Sequence, residues 1–579
     1  MARSVQNLAF PLIGGTAPRR RTSVSQYGGA VVVNPGGPGG SGVSLVRRAG
    51  EKIQKVLDHP EDPTVTAKDS DEKYFDILSF DPRGVASSKP NIACFKDQSA
   101  SQAWFIRQLS EGTLNSSDAT LGRVWSMTQA LGASCAANSD DEDIKRFVST
   151  ASVARDMLEL VEKHGKWREA EARKEMKKGC PRSLASYRMP SALKSLRHRV
   201  GAERIQYWGF SYGSFLGSTF AAMFPDRIER LALDGVVDAE DYRQNLWYDN
   251  LVDTEKNFQT FFEHCASVGP NACPLAEERS TPSDIQEKVS SIISKLYHNP
   301  LPVTGSAPEV ISYSDVRNLI FGSLYTPVQA FPYLANLLAD IDAGNGTRFA
   351  ELVRPYYTTS CNTQSGSASS INGLEPLRNG SIGLNTLATA AIACSDGDSS
   401  SDFTLSDFEE YWPKLVDLSP TIGEMWAELR LECTGWKIRP FHRYLGPYEA
   451  QTSHPILWIS TTADPVTPLR SAQKMAKGFP GSRVLVQDSA GHCSLSSYSE
   501  CIAKEVRRYF QTGKLPKEGT VCEADEQPWQ DDRQSAMRLG EDRFIRLMEH
   551  RQVREAWMQN PATGGFMRGM LGGRIGGLI

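Results

Sequence analysis

Long hydrophobic runs are missing from this chain. Although 40% of its 579 residues are hydrophobic, no stretch approaches the ~20 consecutive apolar residues that a membrane-spanning helix requires. The opening, Met1 to Ala30, lacks the basic-then-apolar order of an export signal, so as it stands the sequence reads as soluble and unexported. An excess of charge is missing too. A formal net charge of −4 supplies no global attraction to nucleic acid or to an anionic membrane, and neither is expected as a partner. None of the eleven cysteines stands in a C-x-x-C pair, which removes the usual zinc and redox motifs, and no metal is expected. The glycine-rich segments lack both the G-x-x-x-x-G-K-[ST] lysine and a G-x-G-x-x-G followed by a ribose-binding acid, so no nucleotide cofactor is expected either. Three N-x-S/T sequons, at Asn115, Asn345 and Asn379, are about what chance provides in a chain this long and decide nothing about compartment.

What is present is the composition of an ordinary globular protein, 23% charged, on a chain longer than the ~250 to 300 residues at which single cores stop growing. A core with a large insertion is therefore expected. Short β-branched runs read as buried parallel strands alternating with helices, an α/β pattern. They are Ala30 to Asn34, Tyr74 to Asp81, Arg204 to Phe210, Arg230 to Asp234, Pro455 to Thr461 and Arg483 to Gln487. Between the fourth and fifth lies a long stretch of helical periodicity, including KNFQTFFEHCASVG and FPYLANLLADIDAG. The organisation read from this is an N-terminal segment (1–29), a first core part (30–238), a helical cap (239–453), a second core part (454–531) and a tail (532–579). The first core part carries a Lys- and Arg-dense stretch at about 163–199, read as a solvated helical insertion. Thr358 to Gly373, rich in serine and glycine, reads as a surface loop, and the tail as a surface helix followed by disorder.

The chemistry gathers around Gly209-Phe210-Ser211-Tyr212-Gly213, a G-x-S-x-G between a predicted strand and the helical SFLGSTFAAMF. Such a strand-to-helix turn is too sharp for bulky neighbours, so glycines flank a serine that stands exposed at a helix N-terminus, where free amides favour developing negative charge. Serine needs a base. Of nine histidines, His492 is best placed, on the loop that follows the last predicted strand in RVLVQDSAGHCS. The base needs a carboxylate to hold its tautomer, and Asp464 ends the preceding strand in ILWISTTADPVTP. Asp234, at the end of RLALDG, is the rival acid. The loop Asn34-Pro35-Gly36-Gly37-Pro38-Gly39-Gly40-Ser41-Gly42 can turn amides toward an oxyanion. The backbone N–H groups of Tyr212 and Gly37 are the two expected donors.

Taken together, NPGGPGGSG, the DPRG of Asp81 to Gly84, YWGFSYGSFLG, AAMFPDRIERLALDGVVD, ADPVTP and GHC resemble the tripeptidyl-aminopeptidase-like branch of the prolyl-aminopeptidase serine hydrolases, from about Ala30 to Trp529. The resemblance implies an α/β-hydrolase fold, a mostly parallel sheet with flanking helices and a helical cap between its sixth and seventh strands. It also implies cleavage of short peptides from a free amino terminus, and disulfides Cys94–Cys135, Cys265–Cys273, Cys394–Cys433 and Cys501–Cys522. An esterase or lactonase using the same triad on a small metabolite is the alternative, and an inactive binding protein on a hydrolase scaffold a weaker one. Members usually carry an export signal and a first strand pair ahead of the glycine-rich loop, where only 29 residues precede Ala30 here. Ala86 stands where members usually have glycine. For the substrate's ammonium, Glu240 and Asp241 at the start of the cap are weighed but not assigned.

Overall fold

The computed structural model describes residues 27–58, 72–137, 139–179, 196–305, 308–357, 381–530 and 537–558. The Thr358 to Gly373 stretch, the glycine-rich end of the tail and the middle of the basic insertion lie outside them. Seven strands form one sheet in the order β2-β1-β3-β4-β7-β8-β9, and every pairing in it is parallel. They are β1 (Tyr27–Asn34), β2 (Tyr74–Leu78), β3 (Ile205–Phe210), β4 (Ile228–Asp234), β7 (Leu457–Ala463), β8 (Arg483–Ala490) and β9 (Val521–Glu523). The six expected strands are all present. The short edge strand β9 and a hairpin of β5 (Leu301–Val303) with β6 (Glu309–Ile311) were not foreseen, because three-residue strands are too brief to show a period of two.

The sheet is buried on both faces, which is why its strands read as continuous apolar runs. Val31, Val33, Trp208, Phe210, Leu457 and Ile459 face one layer, with helices Gly42–Leu57, Glu500–Thr512 and Glu541–Met558 over it. Val32, Tyr207, Leu231, Leu233 and Trp458 face the other, under helices Thr150–Gly179, Tyr212–Met223 and Leu469–Lys477. A separate apolar cluster that includes Phe258, Phe261, Ile285, Leu319, Phe331 and Phe408 holds together the helices running between β4 and β7. Among the described residues four sheet strands precede those helices, fewer than the six that the resemblance implies. All four implied cysteine pairs are joined as disulfides.

In the loop after β2, Ala86 adopts φ 44°, a backbone conformation that favours glycine. Such a left-handed alanine costs roughly 1–2 kcal/mol. Asp81, fully buried, holds the loop by accepting from Ser87 N at 3.1 Å and, through its other oxygen, from Ser41 Oγ at 2.7 Å and Val43 N at 3.1 Å. The tail corrects its expectation. Helix Glu541–Met558 is not a loose surface element, because it buries Val553, Arg554, Ala556 and Trp557 against the core. The segment is rich in charge of both signs, but its one fully buried arginine, Arg554, is neutralised by a buried glutamate, Glu526, at 2.8 Å, a pairing invisible to periodicity.

The basic stretch continues the Thr150–Gly179 helix and returns to the amino end of β3, pinned by Arg168–Glu203 and His198–Glu162 contacts. Ligands of parallel sheets bind beyond the carboxyl ends. Replacing Lys174–Leu193 with a short linker is therefore expected to leave kcat/KM within about threefold in a hydrolase assay. A well-folded but inactive deletion would contradict this placement.

Candidate active site

The register brings the carboxyl ends of β1, β3, β4, β7 and β8 side by side: Asn34 opposes Gly209, Phe210 opposes Asp234, Asp234 opposes Ile459, and Ala463 opposes Ala490. The sheet order reverses between β1 and β3, a topological switch point where such sheets form a crevice. Ser211 follows β3 directly, Asp464 follows β7 directly, and His492 lies two residues beyond β8.

Ser211 sits at the N-terminus of helix Tyr212–Met223 with φ 56° and ψ −127°, an outlier for a non-glycine residue of the kind that persists only when its surroundings over-determine it. Those surroundings are backbone. Ser211 N donates to Asp234 O at 2.8 Å and Ser214 N to Ser211 O at 2.7 Å. A Cβ on Gly209 would stand 2.4 Å from Gly213 O, and one on Gly36 would stand 2.4 Å from Phe210 O and 2.8 Å from the Ser211 Cβ. The glycine-rich loop thus lies directly against the turn. Asn34 Oδ1 accepts from Gly36 N at 2.9 Å. Among the described residues the amides of Gly37 and Tyr212 have no acceptor within the protein, as anion donors require.

Asp464 and His492 are brought together and are fully buried. His492 Nδ1 donates to the carboxylate, 2.9 Å from each oxygen, and lies 3.1 Å from Thr467 Oγ1. With the proton on Nδ1 the lone pair falls on Nε2. The carboxylate also accepts from the amides of Val466 (3.0 Å), Thr467 (2.8 Å) and Cys493 (2.9 Å), so its orientation is fixed before any substrate arrives. His492 N donates to Tyr325 O at 2.9 Å, and its ring meets those of Tyr325 at 4.9 Å and Trp557 at 5.6 Å. No hydrogen bond joins Ser211 to the His492 ring among the described residues. Their link is the carbonyl of Asp234, which accepts from Ser211 N and, at 3.5 Å, from the Cys493 thiol; base-to-nucleophile contacts often tighten only with substrate bound.

Asp234, the rival acid, bonds Ser494 instead, through its amide at 2.8 Å and its hydroxyl. Burial pushes its carboxyl up to about 6, against the lowering effect of the Ser494 bonds. Asp464, His492 and the Cys493 thiol converge closely enough to hold a metal ion, yet the carboxylate oxygens already take four donors and burial keeps the thiol protonated. That donor set fits a hydrogen-bonded acid better than a metal ligand.

Several neighbours had no sequence signal. Thr389 Oγ1, on helix Ser381–Asp396, donates to Pro38 O at 2.7 Å. Thr150 links the Tyr212 hydroxyl to Asp396, whose Oδ2 it reaches at 2.6 Å, and burial pushes Asp396 up to about 7. Glu240 is exposed and paired with Lys474 at 2.9 Å, while one Asp241 oxygen accepts from Tyr248 N at 3.3 Å. On helix Gly423–Gly435, Glu424 is buried against Arg317 at 2.9 Å, but Glu428 and Glu432 have no hydrogen bond or ion pair among the described residues. Burial pushes Glu428 up to about 8, helped by the charges of Glu432 and Glu424, and pushes Glu432 up to about 7.

Two family models match the chain: one described as alpha/beta hydrolase fold over residues 29–272, and one described as TAP-like protein over residues 419–522. Serine protease Hip1 of Mycobacterium tuberculosis is 24% identical over 506 residues, covering 85% of this chain and 81% of its own. Tripeptidyl aminopeptidase of Streptomyces lividans is 24% identical over 522 residues, 89% of this chain and 80% of its own. Carboxylesterase B of Mycobacterium tuberculosis is 23% identical over 515 residues, 88% of this chain and 83% of its own. With a parallel sheet of this order, these matches give the chain the α/β-hydrolase fold and make it a serine hydrolase of the peptidase kind, similar to the tripeptidyl aminopeptidases.

Proposed function

We propose that this hydrolase removes short peptides from a free amino terminus, with Ser211 as nucleophile, His492 as general base and Asp464 as the orienting acid. The observation that carries the catalytic part is the buried His492–Asp464 pair, whose carboxylate is saturated by three backbone amides. Ser211 Oγ attacks the scissile carbonyl as His492 Nε2 takes its proton. The amides of Gly37 and Tyr212 receive the oxyanion, and Asp464 steadies the imidazolium. Collapse breaks the C–N bond as His492 returns the proton to the leaving amine. Water, deprotonated by the same histidine, then frees the acyl group and restores the serine. No metal or organic cofactor enters the cycle.

Amino-end selectivity is assigned to Glu428 and Glu432. Both are half-buried, burial dominates their titration, and neither has a counter-charge among the described residues. Ring contacts run from His492 through Tyr325 and Phe321 to Trp426 on the same helix, and the neighbouring helix touches Pro38. A substrate ammonium would supply the counter-charge that the protein withholds, and a blocked amine would leave a buried carboxylate uncompensated. The relative named carboxylesterase B favours a second reading, an esterase acting on a small metabolite with the same triad.

Asp464→Asn is expected to lower kcat by about three to four orders of magnitude, while Asp234→Asn chiefly alters thermal stability; the opposite ranking in steady-state kinetics would make Asp234 the acid. A free-amino tripeptide anilide is expected to exceed its N-acetyl form by at least about tenfold in kcat/KM, ~1.4 kcal/mol of transition-state preference. Glu428→Gln with Glu432→Gln should erase that ratio. The double variant should also raise Tm at pH 9: carboxyls whose folded pKa is raised destabilise the fold increasingly as pH climbs from the unfolded value through about 8. Equal rates on both peptides in the wild type, or turnover confined to esters, would establish the second reading.

A further inference from the structure

We propose that Trp557, on the carboxyl-terminal helix, is a positioning residue that holds the oxyanion loop and the catalytic histidine in register with each other; the inference rests on the triad reading above. The indole Nε1 donates to Pro35 O at 2.8 Å. Pro35 C=O and Gly36 N–H belong to one peptide unit, and the N–H of that unit is held by Asn34 Oδ1 at 2.9 Å. The unit is therefore gripped at both ends. Gly36 is the residue whose backbone lies against the Ser211 turn, and Gly37, whose amide is a proposed oxyanion donor, follows it. The orientation of that donor descends from a plane fixed by a side chain 522 positions away.

The same indole also meets the His492 ring, centroids 5.6 Å apart and planes inclined by 43°. Tyr325 meets the imidazole edge-on at 77°. The base thus meets one ring from the cap and one from the tail, and is buried. One turn earlier, buried Arg554 donates to Ser496 O at 3.0 Å, on the segment that follows the histidine, and pairs with Glu526 at 2.8 Å. Glu526 also accepts from Arg551 at 2.6 Å and from Tyr498 N at 3.3 Å. Burial would raise its carboxyl, but the guanidinium groups of Arg554 and Arg551 hold it down to about 2, so the brace stays charged across the working pH range. Val553 and Ala556 of the same helix are buried in the same layer. The buried indole N–H takes its partner from the glycine-rich loop.

The test uses full-length protein with Trp557→Phe, Trp557→Leu, Val553→Ala and Ser211→Ala, each checked for folding by circular dichroism and Tm, and assayed on a free-amino tripeptide anilide. Trp557→Phe keeps a ring beside His492 and loses the donor to Pro35; kcat is expected to fall about three- to tenfold with KM unchanged. Trp557→Leu loses both and should fall at least about thirtyfold, approaching the ~10²-fold loss of an oxyanion donor. Val553→Ala, which trims the same helix one turn from Trp557 and leaves the indole contacts in place, should lower Tm while kcat stays within about twofold. Wild-type kcat in folded Trp557→Phe and Trp557→Leu, or a kcat loss in Val553→Ala equal to that in Trp557→Phe, would overturn the inference and leave the helix a stabiliser only. If Trp557→Leu does not fold, Trp557→Phe against Val553→Ala decides. Turnover retained by Ser211→Ala would overturn the triad reading itself, an outcome distinguishable from the others because it leaves the Trp557 comparison without its premise.

Discussion

A left-handed serine, held where a strand ends and a helix begins, is the constraint from which the rest of the site follows. Ser211 at φ 56° is costly by itself, of the order of 1–3 kcal/mol, and the glycines around it exist because backbone must come within van der Waals contact of it on two sides. Gly209 lets the elbow close on Gly213, and Gly36 lets the loop after β1 lie on the turn. Once those approaches are made, the amides of Tyr212 and Gly37 are left without acceptors among the described residues, available to the proposed oxyanion. The strain and the proposed anion site are two consequences of one backbone arrangement.

The loops that complete the site are each held from outside the sheet. Helix Ser381–Asp396 reaches the oxyanion loop through Thr389 and the Tyr212 hydroxyl through Asp396 and Thr150. Tyr325, between two cap helices, caps the histidine, and the carboxyl-terminal helix contributes Trp557 from the opposite layer. Preorganisation of this kind, in which the donors and the base are set before substrate binds, is where most of the electrostatic advantage of such enzymes arises. The two glutamates on helix Gly423–Gly435, without a counter-charge among the described residues, run against that trend, and burial raises both carboxyls.

The central strands were legible in the sequence because a strand covered on both faces must be apolar throughout, as AVVVN and RLALD are. The elbow and the acid and histidine loops were legible because each is a local motif at the end of a strand. What was not legible depends on distance along the chain. Trp557 and Pro35 are 522 positions apart, and no period relates them. The charged helix that carries Trp557 looked solvated because the partner of Arg554, Glu526, lies in another segment. The hairpin of β5 and β6 and the edge strand β9, at three residues each, are too short for pattern to emerge. Glu240 and Asp241 drew notice by standing at the cap's start, yet Lys474 already satisfies the first, whereas Glu428 and Glu432 sat unremarked in an ordinary helical run.

The central claim is that Ser211 is the activated nucleophile. The most direct measurement is intact and peptide mass spectrometry of the folded full-length protein after exposure to an active-site fluorophosphonate. The account predicts one adduct per chain, located on the peptide containing Ser211, formed with loss of hydrolase activity and absent from His492→Ala at the same exposure. A folded wild-type protein that remains unlabelled, or that is labelled on another serine while Ser211 stays free, would contradict it.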